Sequence, residues 1–167
     1  MLAAIALGSN LSSRFGAPAD NLREAIHRLD DLGTVTAVSR FHETEPVGFT
    51  QQPRFLNAVA LLETEVSPLD LLRGLLAIEH SMGRDRAKSP PKGPRIIDLD
   101  LLLYGDLVLD DPALTLPHPS LHERRFVLAP LAEIAPAWRH PVQCGTMAEL
   151  LADLPPGEDS VIKTDFR

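Results

Sequence analysis

The stretch that decides the fold is Gly93-Pro94-Arg95-Ile96-Ile97-Asp98-Leu99-Asp100-Leu101-Leu102-Leu103-Tyr104-Gly105, which predicts one β-strand between a Gly-Pro turn and a glycine. Side chains alternate along a strand, so Asp98 and Asp100 share one face, and the opposite face carries Ile97, Leu99, Leu101 and Leu103. Two carboxylates about 6–7 Å apart in an apolar strand repel each other unless a cation lies between them. Mg²⁺ fits this position because it takes one or two carboxylates plus phosphate oxygens. An edge strand with a solvated acidic face is the alternative.

Composition limits the classes of protein that this chain can represent. Its 167 residues, 44% hydrophobic and 23% charged, predict one globular domain over residues 1–167. The net charge of −7 argues against nonspecific nucleic-acid binding, so an anion site must be a local basic cluster. A single cysteine, Cys144, cannot form an internal disulfide, and no apolar run reaches the length of a membrane span. We therefore expect a cytoplasmic monomer with no nucleic-acid or membrane partner.

The hydrophobic pattern up to Gly105 predicts the element order β-α-β-β-α-β. The predicted strands are 2–7, 34–43, 55–65 and the two-aspartate strand, and the predicted helices are 21–29 and 68–82. This order is typical of an α+β, ferredoxin-like fold with an antiparallel sheet. It predicts that strand 2–7 and the two-aspartate strand form the central pair. Further on we expect a short return strand at 107–109, short helices within 120–134 broken at Pro130, a helix at 146–154 and a tail.

A basic segment leads directly into the two-aspartate strand. Five cations lie close together in this otherwise acidic chain: Arg84, Arg86, Lys88, Lys92 and Arg95. Carboxylates that hold Mg²⁺ beside arginines that neutralise phosphate charge are the pairing that triphosphate chemistry requires. A solvated basic loop is the alternative. The sequence contains neither a Walker A motif nor a G-x-G-x-x-G motif, so a nucleotide would be bound by another route.

Three further polar residues are candidates for binding. His118 and His122 are four residues apart, but prolines flank His118, and zinc would need additional ligands. Either histidine could bind a phosphate or serve a structural role. Asn57 follows Phe55 on one strand face, where an amide can bind the edge of a flat heterocycle while the ring stacks on it. A core asparagine satisfied by the backbone is the alternative for Asn57.

Several motifs together resemble the 6-hydroxymethyl-7,8-dihydropterin pyrophosphokinase family of folate biosynthesis. The principal one is Gly93-Pro94-Arg95-x-x-Asp98-Leu99-Asp100-Leu101-Leu102. Others run in order along the chain: Ala6-Leu7-Gly8-Ser9-Asn10-Leu11, Thr44-Glu45-Pro46-Val47-Gly48, Gln52-Pro53-Arg54-Phe55-Leu56-Asn57-Ala58, Glu79-x-x-Met82-Gly83-Arg84, Leu116-Pro117-His118, Arg124-x-Phe126 and Pro130-Leu131-x-Glu133-Ile134-Ala135-Pro136. Lys92 stands where that family often has tryptophan.

The resemblance implies transfer of the β,γ-diphosphate of ATP to the pterin hydroxymethyl group, with release of AMP. It implies two Mg²⁺ ions held by Asp98 and Asp100, and Arg84 and Arg95 as catalytic cations. ATP binding would fall to Glu79, Arg84, Lys88, Arg95, Thr115, His118 and Arg124. The pterin pocket would contain Thr44, Pro46, Val47, Phe55, Asn57, Asp98 and Phe126. The segment from Arg84 to Pro94 would close over the reaction as a lid.

A ferredoxin-like ligand-binding or regulatory domain without catalysis is the rival interpretation. It explains the predicted fold equally well and predicts nucleotide binding without release of AMP. It does not explain two aspartates that share one strand face beside a basic segment.

Overall fold

The computed structural model describes residues 1–46, 51–88, 90, 92–157 and 161–164. Its strands are β1 (Leu2–Ser9), β2 (Thr34–Val38), β3 (Phe41–Thr44), β4 (Phe55–Glu63), β5 (Asp98–Tyr104), β6 (Leu109–Asp111), β7 (Leu114–Leu116) and β8 (Val161–Thr164). Its helices are α1 (Pro18–Leu29), α2 (Pro68–Ser81), α3 (Arg125–Ile134) and α4 (Met147–Asp153), with a single 3₁₀ turn at Leu121–Glu123. The predicted strand 34–43 is therefore divided into β2 and β3. Among the described residues, no helix combines the length and apolar character needed to cross a bilayer.

The main sheet is antiparallel and has the strand order β5-β1-β4-β3-β8, with β2 also paired to β4. The predicted neighbours β1 and β5 are confirmed, with Gly8 opposite Asp98 and Ala6 opposite Asp100. The prediction that these two strands are the central pair is wrong, because among the described residues β5 pairs with β1 alone, while β1 also pairs with β4. The two-aspartate strand is therefore an outer strand of the sheet.

One face of the sheet packs against α1 and α2 and forms the first core. Leu22, Ala25 and Leu29 of α1 are fully buried there, as are Leu71 and Leu75 of α2. The strands contribute every second residue, including Ala58 and Ala60 of β4 and Leu99 of β5. This period-2 pattern is clear in the sequence, so the ferredoxin-like arrangement of the first core could be predicted from it.

The other face packs against α3 and α4 and forms the second core. Val127, Leu128 and Leu131 of α3 cover Val59 and Leu61 of β4, among other residues. The prediction that Pro130 breaks this segment is wrong, since α3 runs through it from Arg125 to Ile134. Proline removes one helical hydrogen bond, but here it is buried with Leu131 and Leu128 on the packed side of the helix. The burial of that apolar side outweighs the lost bond.

Two local features also depart from the sequence predictions. The β1–β5 register shifts between Ala4 and Ile5. This irregularity places Leu103 in the second core, rather than on the face of β5 that points away from the aspartates. The predicted C-terminal tail contains β8, which pairs with the outer side of β3. The edge of β3 offers backbone groups with which β8 pairs. The C-terminal segment has no clear periodicity, so its sequence alone did not predict this strand. The return strand predicted at 107–109 is wrong in its bounds, since β6 begins only at Leu109 and pairs with β7 rather than with β5.

Candidate active site

A cavity of about 130 Å³ opens on the second-core face of the sheet, beyond the N-terminal end of α3. Its floor continues the same strand rows that carry the second core: Ala6 and Gly8 of β1, Phe55 and Asn57 of β4, and Asp98 and Asp100 of β5. Where α3 covers the rows of β4 and β5 the side chains are apolar, and beyond its end these two rows carry the polar side chains Asn57, Asp98 and Asp100. The cavity, hereafter the reaction cavity, is completed by residues that include Thr44, Glu45, Lys92, Arg95, His118, Arg124 and Phe126.

Asp98 is held by arginines on both of its oxygens. Arg84 Nη1 donates to Asp98 Oδ1 at 2.6 Å, and Arg95 Nη1 donates to Asp98 Oδ2 at 3.1 Å. Arg86 Nη2 lies 3.7 Å from Oδ1. Charge-assisted bonds of this kind fix a carboxylate in one orientation. Asp98 is therefore preset before any ligand binds.

Glu79 lies beneath the site and organises the arginines. It is only 2% exposed, and its oxygens accept bonds from Arg84 at 2.9 Å, from Arg86 at 2.8 Å and from the Leu99 amide at 2.7 Å. Burial raises the pKa of Glu79, although the Leu99 amide and the two arginines counteract that rise. The resemblance implied an ATP contact for Glu79 and a phosphate contact for Arg84, but neither residue lines the reaction cavity.

The Asp100 carboxylate differs from that of Asp98 because no side-chain hydrogen bond or ion pair reaches it from the part of the chain that the structure describes. Burial, reinforced by the negative charges of Asp98 and Glu79, raises the pKa of Asp100 to about 6. One preset carboxylate and one unpaired carboxylate on the same strand face match the oxygen ligands that Mg²⁺ takes alongside phosphate. The donor set therefore fits the predicted metal.

Two aromatic rings line the cavity, each beside an arginine. The Arg95 guanidinium lies 5.0 Å from the centroid of Phe55, and that of Arg124 lies 5.7 Å from the centroid of Phe126. Asn57 Nδ2 donates to Thr44 Oγ1 at 2.6 Å, so the amide is held by a neighbouring side chain on β3. The cavity therefore combines two flat rings with a fixed amide.

His118 is fixed as a neutral donor. Its Nδ1 accepts the Ser120 amide at 3.2 Å, which places the imidazole proton on Nε2. Burial lowers the pKa of His118, and the charge of Arg124 lowers it further, against a smaller opposing effect of Asp98. A neutral N–H beside Arg124 is suited to bind a phosphate oxygen.

Asn10 is an organising residue that the sequence reasoning did not identify. Its Oδ1 accepts a hydrogen bond from the Arg95 backbone amide at 2.9 Å, and the backbone amide of Asn10 donates to Arg95 O at 3.1 Å. Its Nδ2 donates to Gln52 Oε1 at 3.0 Å and to Pro53 O at 2.9 Å. Asn10 therefore ties the beginning of β5 to the segment before β4. The turn motif Gly8-Ser9-Asn10 marked its position but gave no sign of these partners.

Some predicted residues lie elsewhere. Thr115 lines a second cleft rather than the reaction cavity, and Lys88 is exposed with Asp85 3.8 Å away. Pro46 is buried outside the cavity lining, and Val47 lies outside the described residues. Lys92 lines the cavity with a φ of 58°, and its carbonyl accepts Gln52 Nε2 at 2.8 Å. Ser89 and Pro91 also lie outside the described residues, so closure of the 84–94 segment stays a prediction.

Comparison with known proteins identifies similar sequences and folds. Residues 4–136 match the model of the family described as 7,8-dihydro-6-hydroxymethylpterin-pyrophosphokinase (HPPK). The 2-amino-4-hydroxy-6-hydroxymethyldihydropteridine pyrophosphokinase of Pseudomonas aeruginosa is 43% identical over 153 residues, 90% of each chain. The folic acid synthesis protein fol1 of Schizosaccharomyces pombe is 42% identical over 154 residues, 92% of this chain but only 20% of that protein.

Solved structures agree on the fold. The HPPK-DHPS of Plasmodium falciparum with SDX-DHP superposes with a TM-score of 0.73 at 17% identity. The match covers 90% of this chain and 45% of the Plasmodium chain. At that level of identity the likeness supports the architecture and says nothing of individual side chains.

Proposed function

Because the chain belongs to the 7,8-dihydro-6-hydroxymethylpterin-pyrophosphokinase family, we propose that it transfers the β,γ-diphosphate of ATP to 6-hydroxymethyl-7,8-dihydropterin. Pyrophosphoryl transfer to hydroxymethyldihydropterin in folate synthesis is the activity of this family. In this reaction the hydroxymethyl oxygen attacks the β-phosphorus, the bond between the α,β-bridging oxygen and that phosphorus breaks, and AMP leaves.

The observation that carries the proposal is that one cavity brings together two chemically different sets of side chains. Phe55, Asn57 and Phe126 offer two rings and a fixed amide, which suit a flat heterocycle with a polar edge. Asp98 and Asp100 lie on β5, across β1 from Phe55 and Asn57, with Arg95, Arg124 and His118 in the same lining, which suits a charged phosphate chain. The hydroxymethyl group of a bound pterin would therefore be held next to the phosphates.

Asp98 and Asp100 would hold Mg²⁺, two ions in our proposal. When bound, the metal supplies charge neutralisation and orientation of the phosphate oxygens. The preset Asp98 and the unpaired Asp100 are the residues of this chain that fit that task.

The remaining residues act by positioning and by neutralising charge. The Nε2 N–H of His118 donates a hydrogen bond to a phosphate oxygen, while Arg95 and Arg124 neutralise charge that develops on the leaving phosphate. Asn57 binds the pterin edge, and the two phenylalanines stack on its faces. Glu79 keeps Arg84 and Arg86 directed at Asp98, so its contribution is indirect.

The decisive experiment is incubation with ATP, Mg²⁺ and 6-hydroxymethyl-7,8-dihydropterin, followed by chromatographic separation of adenine nucleotides. We expect AMP to appear in equal amount to the pterin diphosphate and to require the pterin and the metal. Omission of pterin and chelation of Mg²⁺ are the controls. Formation of ADP, or nucleotide binding without any AMP, would reject the proposal in favour of another transferase or of a non-catalytic binding domain.

A further inference from the structure

The positively charged side chains that line the reaction cavity differ in whether they already have an acidic partner. Arg95 lines the cavity but is bonded to Asp98 at 3.1 Å. Arg124 and Lys92 line it as well, and neither forms an ion pair with a carboxylate in the part of the chain that the structure describes. The proposed function uses Arg124 but leaves Lys92 without a task.

The acidic residues of the same lining do not supply a partner for Lys92. Glu45 forms an ion pair with Arg54, and arginines are bonded to both carboxylate oxygens of Asp98. Asp100 is reserved for the metal in the proposed function. Because the side chain of Lys92 is also exposed, its ammonium group is an uncommitted positive charge at the cavity.

The backbone of Lys92 is held in an unfavourable conformation. Its φ is 58°, and among the described residues no other residue except glycine has a positive φ. Gln52 Nε2 donates to the Lys92 carbonyl at 2.8 Å, and Gln52 Oε1 accepts a bond from Asn10 at 3.0 Å. Asn10 also holds the backbone of Arg95, so one network positions both cations before β5.

This conformation gives a reason to look for a role of the Lys92 side chain. Glycine adopts a left-handed conformation without strain, whereas a residue with a Cβ loses free energy in it. The fold therefore gains nothing from a lysine at this position. Local strain that the surrounding contacts maintain is typical of functional sites. A strained residue in the cavity lining with an uncommitted charge points to ligand binding.

We propose that the ammonium group of Lys92 binds phosphate oxygens of ATP in the reaction cavity. This inference rests on the proposed function, in which ATP is the anionic substrate. The pterin is uncharged and offers an ammonium group only ring acceptors, so the charge-assisted bond to phosphate is the stronger one. Since Arg95 is already bonded to Asp98, Lys92 and Arg124 supply the positive charge for phosphate oxygens that the metal does not bind.

The test is isothermal titration calorimetry with α,β-methylene ATP and Mg²⁺, because the bridging carbon of this analogue prevents transfer. Lys92→Gln removes the charge, and Lys92→Arg retains it. We expect Lys92→Gln to bind the analogue at least about tenfold more weakly, and Lys92→Arg to bind it within about threefold of the unsubstituted chain. The Kd for the pterin, measured with the analogue saturating, should change by less than about twofold in both.

Lys92→Gly distinguishes a binding role from a structural one. Glycine relieves the strain, so the Tm without ligands should not fall, but the affinity for the analogue should fall as in Lys92→Gln. A purely structural lysine would leave that affinity unchanged. Arg73→Gln is the matched control, because Arg73 is 73% exposed, pairs with Asp70 and does not line the cavity. Its affinity for the analogue should equal that of the unsubstituted chain.

Acetylation of lysine amines, followed by mass spectrometry, measures the contact directly. The analogue should slow acetylation of Lys92, and the pterin alone should not. Unchanged affinity in Lys92→Gln, an equal loss in Lys92→Arg, or protection of Lys92 by the pterin alone would each overturn this inference and leave the proposed function intact. No binding of the analogue by the unsubstituted chain would overturn both.

Discussion

Asp98 and Asp100 are two residues apart but have different surroundings. The Asp98 carboxylate is bonded to Arg84 and Arg95, whereas no described side chain is bonded to the Asp100 carboxylate. Sequence alternation predicted correctly that they share a face, but it could not distinguish them. The difference arises partly from Arg84, which follows α2, is bonded to Glu79 of that helix and reaches only the Asp98 carboxylate.

Asp100→Asn should abolish turnover while the protein stays folded. We expect AMP formation to fall by at least about 10²-fold, because the amide removes the charge proposed to hold the metal. In metal-free buffer the Tm should not fall, since burial and neighbouring negative charges already disfavour the Asp100 carboxylate. Kinetics and calorimetry measure the two effects.

Asp106→Asn is the matched control for Asp100→Asn, because Asp106 is exposed in the turn that follows β5. Its activity should equal that of the unsubstituted chain. Near-normal AMP formation by Asp100→Asn would contradict the assignment of Asp100 to the metal.

Gly8 lies opposite Asn57 on one neighbouring strand and opposite Asp98 on the other. A Cβ at this position would lie 3.1 Å from Asn57 Oδ1, on the floor of the reaction cavity. We expect Gly8→Ala to raise the KM for the pterin by about tenfold by crowding the Asn57 amide. Gly157→Ala is the control, because a Cβ there meets nothing closer than 3.9 Å. An unchanged pterin KM in Gly8→Ala would show that the Asn57 amide does not take part in pterin binding.

At the scale of elements, the rows of β4 and β5 change from apolar to polar side chains where α3 ends. Along β5 the row reads Leu102, Asp100, Asp98, and along β4 it reads Leu61, Val59, Asn57, Phe55. The period-2 pattern made these rows predictable. It could not show where the covering helix ends, because that depends on the packing of α3, a segment whose proline suggested a break.

A pH-sensitive contact joins α3 to β3. Glu133 Oε1 accepts the Arg40 amide and Nε, both at 2.9 Å, and His42 Nε2 lies 2.9 Å from Oε2. Burial alone would raise the pKa of Glu133, but the hydrogen bonds from Arg40 and His42 outweigh it and lower the pKa below its ordinary value of 4.5. The carboxylate therefore stabilises the fold above that value, and its contribution is lost as the pH falls through the lowered pKa.

Glu133→Gln should lower the free energy of unfolding at pH 7 by about 1 kcal/mol, since Arg40 is half exposed and solvent screens part of the interaction. The difference from the unsubstituted chain should shrink towards zero as the pH falls below about 4. Urea denaturation at both pH values measures it. Glu65→Gln, at an exposed position, is the control. A difference that did not change with pH would show that the effect is steric.

At the scale of the whole molecule, the first core was predictable and the second was not. Helices α1 and α2 and their strands carry clear periodicity, and the β-α-β-β-α-β order predicted how they meet. The second core depends on a proline-containing helix and a C-terminal segment whose partners include Val59 and Leu61 of β4, more than 60 residues away in sequence. The position of β5 at the edge depends on pairing that no local pattern encodes.

The reaction cavity spans the sheet and the beginning of α3, so ligands should stabilise both together. A non-hydrolysable ATP analogue with pterin and Mg²⁺, at about 100 times Kd, should raise the Tm by about 5–10 °C. Amide exchange should slow in α3 as well as in β1 and β5. Omitting Mg²⁺ is the control and should reduce the shift. Protection confined to the strands would show that Arg124 and Phe126 do not take part in binding.

The use of both sheet faces has a consequence for synthesis on the ribosome. Residues of the first core end at Leu116, whereas the second core needs α3 and α4. An emerging chain can therefore bury its first core before His118, Arg124 and Phe126 have left the exit tunnel, because chains fold from the N-terminal side as they are made. The protein would then be compact before its reaction cavity is complete. The cavity would form only when the last third of the chain packs against the sheet.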